Sequence, residues 1–196
     1  FELASFSSVT GFSGQAAIVG YMDFLGGIAT IGGLEFRREG NGQPNTDYKG
    51  KGRAVIELLS AGRSFVLCHI NGPDEAAHLG DLDAKIASIE QIDAHIVIPV
   101  LEYFESNLDE LGGVMIVPDH YSNTVQSTGL TRRSQIHSAE PVPFALWNNR
   151  ESDASRFFGE DEANRGKYAN GEIAGMDLPR LLFGSASHPS RVAQNA

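Results

Sequence analysis

Five residues in three short stretches carry side chains suited to holding divalent metals: Asp74 and His78 in Pro73-Asp74-Glu75-Ala76-Ala77-His78, the adjacent pair Asp119-His120, and His137. Carboxylate oxygens mixed with neutral imidazole nitrogens suit Mn²⁺ or Zn²⁺ better than Mg²⁺ or Ca²⁺, which prefer all-oxygen shells. Two such ions, about 3.5 to 4 Å apart in two-metal enzymes, clamp the attacking and leaving oxygens of a transferred phosphoryl group. The residue types therefore point to two-metal phosphoryl transfer. Asp74 and His78 stand four apart, so a helix or helical turn puts them on one side, able to share an ion. Adjacent side chains diverge, so Asp119 and His120 can serve different ions. None of these residues is an obvious nucleophile.

Taken singly, each piece has a plainer reading. An Asp-x-x-x-His pair often only stabilises a helix start, Asp-His after a strand is often a polar turn, and a lone histidine is usually solvated or satisfied. What raises the set is position: each piece adjoins an apolar run that reads as a strand, and Pro141-Val142-Pro143 follows His137. His69, inside such a run, reads as a hydrogen-bonded core histidine or a partner of a ligand. His95 and His188 read as surface and tail. Ser122 and Ser138 lie near ligands but read as turn or supporting groups, and Glu75 as a solvated or supporting carboxylate. The Arg132-Arg133 pair can attract phosphate or simply face solvent.

The elements that must position these groups alternate in type. Gln15 to Val19 reads as a strand, Met22 to Ile31 as a helix, Leu34 to Arg37 as a half-exposed strand, and Lys49 to Leu59 as a helix after a loop over Gly40 to Asn45. Ser64 to Ile70 is an almost continuous apolar run, as for a strand covered on both faces. From Leu82 through Ile86, Ile89, Ile92, Ile96, Val97 and Val100 to Leu101 the helical period is sustained, predicting one long helix. Gly113 to Pro118 and Pro141 to Trp147 read as further strands, Glu160 to Asn164 and Leu178 to Phe183 as short helices. Such alternation predicts an α/β fold: a mostly parallel sheet with helices on both faces and ligands gathered beyond the strand carboxyl ends.

At 196 residues the chain fits one domain, expected over residues 1–184 with a polar tail at 185–196. It starts at Phe1 with no initiator or leader pattern, which reads as a point inside a longer protein. The excess of 25 acidic over 15 basic residues, a formal charge of -10, argues against nucleic acid as partner. No apolar stretch approaches the roughly 20 residues a membrane helix needs, so no membrane partner is expected. The single Cys68 excludes an internal disulfide, fits a reducing, cytoplasmic setting, and reads as core packing.

The ligand stretches together with Gly80-Asp81, Lys85-Ile86, Val117-Pro118 and Pro141-Val142-Pro143 resemble the cofactor-independent phosphoglycerate mutases, and within them the archaeal-type branch of the alkaline phosphatase superfamily. The likeness extends over Gly14 to Gly33 and over Asn45-Thr46-Asp47-Tyr48 with Lys51, so it covers nearly all of the chain but the tail. It implies a three-layer α/β/α fold. It also implies phosphate exchange between the 3- and 2-positions of glycerate, through a phosphoserine intermediate and two divalent ions. These would be Mn²⁺, with Zn²⁺, Co²⁺ or Mg²⁺ as substitutes.

By this resemblance Asp74, His78 and His137 hold one ion. Asp119 and His120 hold the other, together with an aspartate and a nucleophilic serine that belong to the amino-terminal part of the family sequence and have no matching motif here. This portion would therefore be carboxyl-terminal and inactive by itself. Ala77 stands where the family usually has glycine, and Tyr121-Ser122-Asn123 replaces its small-residue and proline turn. Two other readings stand beside the mutase: a related phosphotransferase of homoserine-kinase type or a phosphatase, and a non-catalytic metal-binding module. The partner expected is a small phosphorylated substrate; oligomeric state is not legible.

Overall fold

The structure, a computed structural model, describes residues 5–107, 112–124, 137–138, 140–148, 159–168 and 171–183. The chain divides into two compact units, Phe1–Tyr103 with Ser122–Ser138, and Phe104–Tyr121 with Ala139–Ala196.

The first unit opens with α1 (Phe6–Thr10), which the hydropathy pattern did not predict. Ser5 caps it by accepting from the Ser8 N–H, and Gly11 ends it in the left-handed region. Its Phe6 ring stacks on Phe65 at 5.2 Å, with Phe12 edge-on to both. The predicted alternation follows as β1 (Ala16–Gly20), α2 (Asp23–Gly32), β2 (Glu35–Arg38), α3 (Tyr48–Ser60) and β3 (Phe65–Cys68). The sheet is parallel in order β2-β1-β3, with Ile18 opposite Phe36 on one side and Leu67 on the other. The chain steps from β1 to β2 in one direction and from β2 past β1 to β3 in the other. Right-handed crossovers then put α2 and α3 on opposite faces of the sheet, with a switch point at β1. Under α2, Ile18, Leu25 and Ala29 form the core cluster, joined by Met22, Leu34 and Phe36; α3 turns Ala54, Val55 and Leu58 inward.

Lys51 is a cation inside this core, 2% exposed. Its Nζ donates to the carbonyls of Glu39 at 2.9 Å and His69 at 3.2 Å, tying together the segments that leave β2 and β3. Burial pushes its pKa below the usual lysine value. Beyond β3 the unit continues through α4 (Gly72–Leu79) and α5 (Leu82–Ile92), followed by a π-helical turn (Asp93–Val97) and then α6 (Ile98–Ser106), within which the second unit begins at Phe104.

Two expectations need correction here. The single long helix from Leu82 is interrupted: Pro99 has no N–H to offer the His95 carbonyl, and the ladder widens so that the Ile98 N–H reaches Asp93. The expected double burial of the third strand is also incomplete, because Leu67 is 43% exposed.

In the second unit β4 (Gly113–Ile116) leads to Asp119 and His120. Within β5 (Tyr121–Ser122) the chain passes back to the first unit, where β6 (His137–Ser138) pairs with β5. The second unit resumes with β7 (Ala145–Asn148), antiparallel to β4, with Met115 opposite Leu146. Then come α7 (Glu160–Ala163), a 3-10 turn over Gly175–Asp177, and α8 (Leu178–Phe183), which packs on β4. Among the described residues the parallel sheet thus has three strands, and β4 and β7 pair antiparallel. The expected tail at 185–196, His188 and Arg132-Arg133 lie outside the described residues.

Candidate metal centre

The site is built at the end of β3. The chain leaves Cys68, and the Asn71 carbonyl accepts from the N–H groups of Asp74 and Glu75, both at 3.0 Å, starting α4. Pro73 sits in the first turn, where its missing N–H costs nothing, and Asp74 and Glu75 place negative charge at the positive end of the helix. Gly80 stops it in the left-handed region at φ 72°. Gly72 is required by space: a Cβ there would stand 2.3 Å from the Tyr48 hydroxyl.

One helical turn brings His78 Nε2 to 3.2 Å from Asp74 Oδ2. From β6, His137 Nε2 approaches the other oxygen, Oδ1, also at 3.2 Å. The two imidazoles meet edge to face, 5.1 Å between centroids. One carboxylate oxygen and two imidazole nitrogens thus lie within 4.8 Å of one another, a set of donors able to hold a metal ion. A carboxylate with two imidazoles suits a borderline cation, and the three donors found among the described residues are fewer than the four of a closed structural site. The side chains of Asp74, His78 and His137 are 28%, 34% and 47% exposed, so the set reaches solvent.

The remaining expected ligands, Asp119 and His120, lie together in the second unit just after β4, with His120 Nε2 3.5 Å from Asp119 Oδ2. Asp119 is largely exposed and His120 half-buried. His69, half-buried just beyond β3, packs its ring edge-on against Phe24, and its backbone N–H donates to the Val19 carbonyl at 2.8 Å. His95 lies in the π-helical turn, half-buried.

Two residues beside the centre were not singled out together from the sequence. Ser122 donates its hydroxyl to Asp74 Oδ1, and Lys85 Nζ donates to the Ser122 carbonyl. Ser122 was legible as a supporting group from its place beside Asp119-His120, and Lys85 through the family likeness; what the sequence did not show is that they meet at Asp74. Burial of its sulfur pushes the Cys68 thiol up to about 11, which disfavours the nucleophilic thiolate. In native protein at pH 8 only about one thiol in a thousand is then ionised, so alkylation by iodoacetamide should be far slower than in denaturant. Equal rates in the two states would refute this burial.

Residues 38–183 match the Metalloenzyme superfamily. The chain belongs to that superfamily. Among its relatives, the 2,3-bisphosphoglycerate-independent phosphoglycerate mutase of Methanosarcina mazei is 33% identical over 175 residues, covering 87% of this chain and 41% of the relative. The enzyme of that name from Methanothrix thermoacetophila is 36% identical over 185 residues, covering 93% and 44%. A probable mutase of the same description from Geobacter sulfurreducens is 34% identical over 165 residues, covering 82% and 38%. The chain spans about two fifths of the length of these curated relatives. In fold it is similar to the solved PH0037 protein of Pyrococcus horikoshii, with a TM-score of 0.69 at 24% identity over 95% of this chain and 53% of the other. The α/β architecture with its parallel sheet is that of a metalloenzyme superfamily member, as expected for the alkaline-phosphatase-like fold.

Proposed function

We propose that this chain carries the metal-binding part of a phosphoglycerate mutase that interconverts 3- and 2-phosphoglycerate through a phosphoserine intermediate. The observation that supports it is the convergence of Asp74, His78 and His137 from separate elements of a superfamily member whose named relatives are such mutases. In this reading Asp74, His78 and His137 hold one divalent ion, Mn²⁺ foremost. Asp119 and His120 serve a second, whose other ligands, an aspartate and the nucleophilic serine, have no matching motif in these 196 residues.

The bound ions supply positive charge that polarises the phosphoryl oxygens. Asp74 contributes the one anionic donor of its site, and His78 and His137 present neutral nitrogens from two sides, leaving the solvent side for an anionic substrate. That localisation matters on a chain of formal charge -10, which elsewhere repels a phosphorylated substrate. No helix among the described residues is long and apolar enough to cross a membrane, and we place the protein in the cytoplasm, where a small phosphorylated acid is available.

The test is phosphorus NMR on the whole protein with Mn²⁺ and 3-phosphoglycerate. Appearance of 2-phosphoglycerate, abolished by His137→Ala, is expected. No interconversion in wild type, together with turnover of a different phosphorylated compound in a substrate panel, would transfer the reading to a related phosphotransferase or phosphatase.

A further inference from the structure

Asp74 is held by more than its two histidines. Its Oδ1, the oxygen facing His137, also accepts the Ser122 hydroxyl proton, while Oδ2 faces His78. Each carboxylate oxygen has two lone-pair directions, so a hydrogen bond on Oδ1 still leaves both oxygens able to meet a cation. Ser122 is fixed in turn, because its carbonyl accepts from Lys85 Nζ on α5. It also belongs to β5, which pairs with the β6 strand that carries His137. One lysine therefore fastens both the hydroxyl on Asp74 and the strand of the third donor. Lys85 is half-buried, its pKa lowered by that burial while the Asp74 charge opposes the shift. A long, flexible side chain loses considerable rotamer freedom when held this way, and the bond to Ser122 is what fixes it.

We propose that Lys85 and Ser122 form a positioning clamp, in series, which holds the Asp74 carboxylate and the His137 strand in the arrangement needed to bind a divalent cation. The inference rests on the reading of Asp74, His78 and His137 as a metal site. Its direction is opposite to that of simple electrostatics. A nearby ammonium repels a cation, so by Coulomb's law alone removing Lys85 tightens metal binding. A clamp makes its removal weaken binding, as loss of a partner that orients a ligand does in other metal sites, by roughly 10- to 100-fold.

The experiment is calorimetric titration of the 196-residue chain with Mn²⁺, comparing wild type, Ser122→Ala, Lys85→Met, the double variant, and Asp74→Asn as reference. Each single variant should bind about 10-fold more weakly, and the double variant far less than the roughly 100-fold that independent effects would give. Ser122→Thr, which keeps the hydroxyl, should restore most of the affinity. Melting in the absence of metal should stay within about 2 °C of wild type, separating a positioning role from general loss of structure. Should Lys85→Met fail to fold, Lys85→Gln is titrated instead, with the same expected direction. Unchanged or tighter binding by the single variants, or full additivity in the double, overturns the clamp. Wild type without Mn²⁺ binding overturns the metal reading and the clamp with it. Ser122→Ala equal to wild type while Asp74→Asn is strongly weakened overturns the clamp alone.

Discussion

Asp74→Asn should lower Mn²⁺ affinity by about 100-fold or more, a larger effect than removing a group that only orients a ligand. Asp74 is the sole anionic donor of the set and the residue both imidazoles face, at 3.2 Å each. Asparagine preserves the shape and removes the charge, so the loss reports on electrostatics at the ion. The same change can be read as stability. With Mn²⁺ at 100 times the wild-type dissociation constant, binding adds about 2.7 kcal/mol to folding. If affinity falls 100-fold, the same Mn²⁺ concentration adds only about 0.4 kcal/mol. Thermal melting with and without Mn²⁺ should therefore show a clear upward shift for wild type and almost none for Asp74→Asn. A variant that shifts as far as wild type would dispose of Asp74 as a ligand.

Gly52→Ala should destabilise the fold by about 3 kcal/mol, against the usual gain from replacing a helical glycine with alanine. An added Cβ at Gly52 would stand 2.1 Å from the His95 carbonyl oxygen, a contact between α3 and the π-helical turn. That carbonyl is the one Pro99 cannot engage, so the glycine and the widened turn meet at one point. Because the obstacle is backbone, neither side can yield by changing a rotamer. For a chain of this size the loss corresponds to a fall in melting temperature on the order of 10 °C. Gly27→Ala is the matched control: it lies on the exposed face of α2, its added Cβ meets nothing within 4 Å, and it should stabilise by about 0.5 to 1 kcal/mol. Equal effects at the two glycines would show that the close approach to His95 has no energetic weight.

Much of this architecture could be read from residue patterns, where the determinants are local. The strand at β1, the helices α2 and α3, and the shared side of Asp74 and His78 follow from alternation, periodicity and fourfold spacing. What escaped was set by distant partners. The position of His137 beside Asp74 depends on pairing between two strands of two residues each, too short for any hydropathy signal. The antiparallel match of β4 with β7 was hidden because an apolar run does not state its partner. The π-helical turn was masked because Ile92, Ile96 and Val100 keep a helical period across it; only Pro99 hinted at the break. For α1 the flanking signals, Ser5 and Gly11, were present, but five residues are too few to show a period.

The outer strand β2 has a consequence for the protein in solution. Among the described residues its far side carries no neighbouring strand, the exposure that invites other chains to add on. Its sequence, Glu35-Phe36-Arg37-Arg38, turns Phe36 to the core and lines the remainder with charge. Each charged side chain is engaged: Glu35 with Arg63 at 2.7 Å, Arg37 with Glu39 and Glu57, and Arg38 with Asp23. An incoming strand would have to break these pairs and desolvate their partners before gaining a single ladder hydrogen bond. The border is thereby guarded against amyloid-like stacking by side chains that contribute little to folding stability at so exposed a surface.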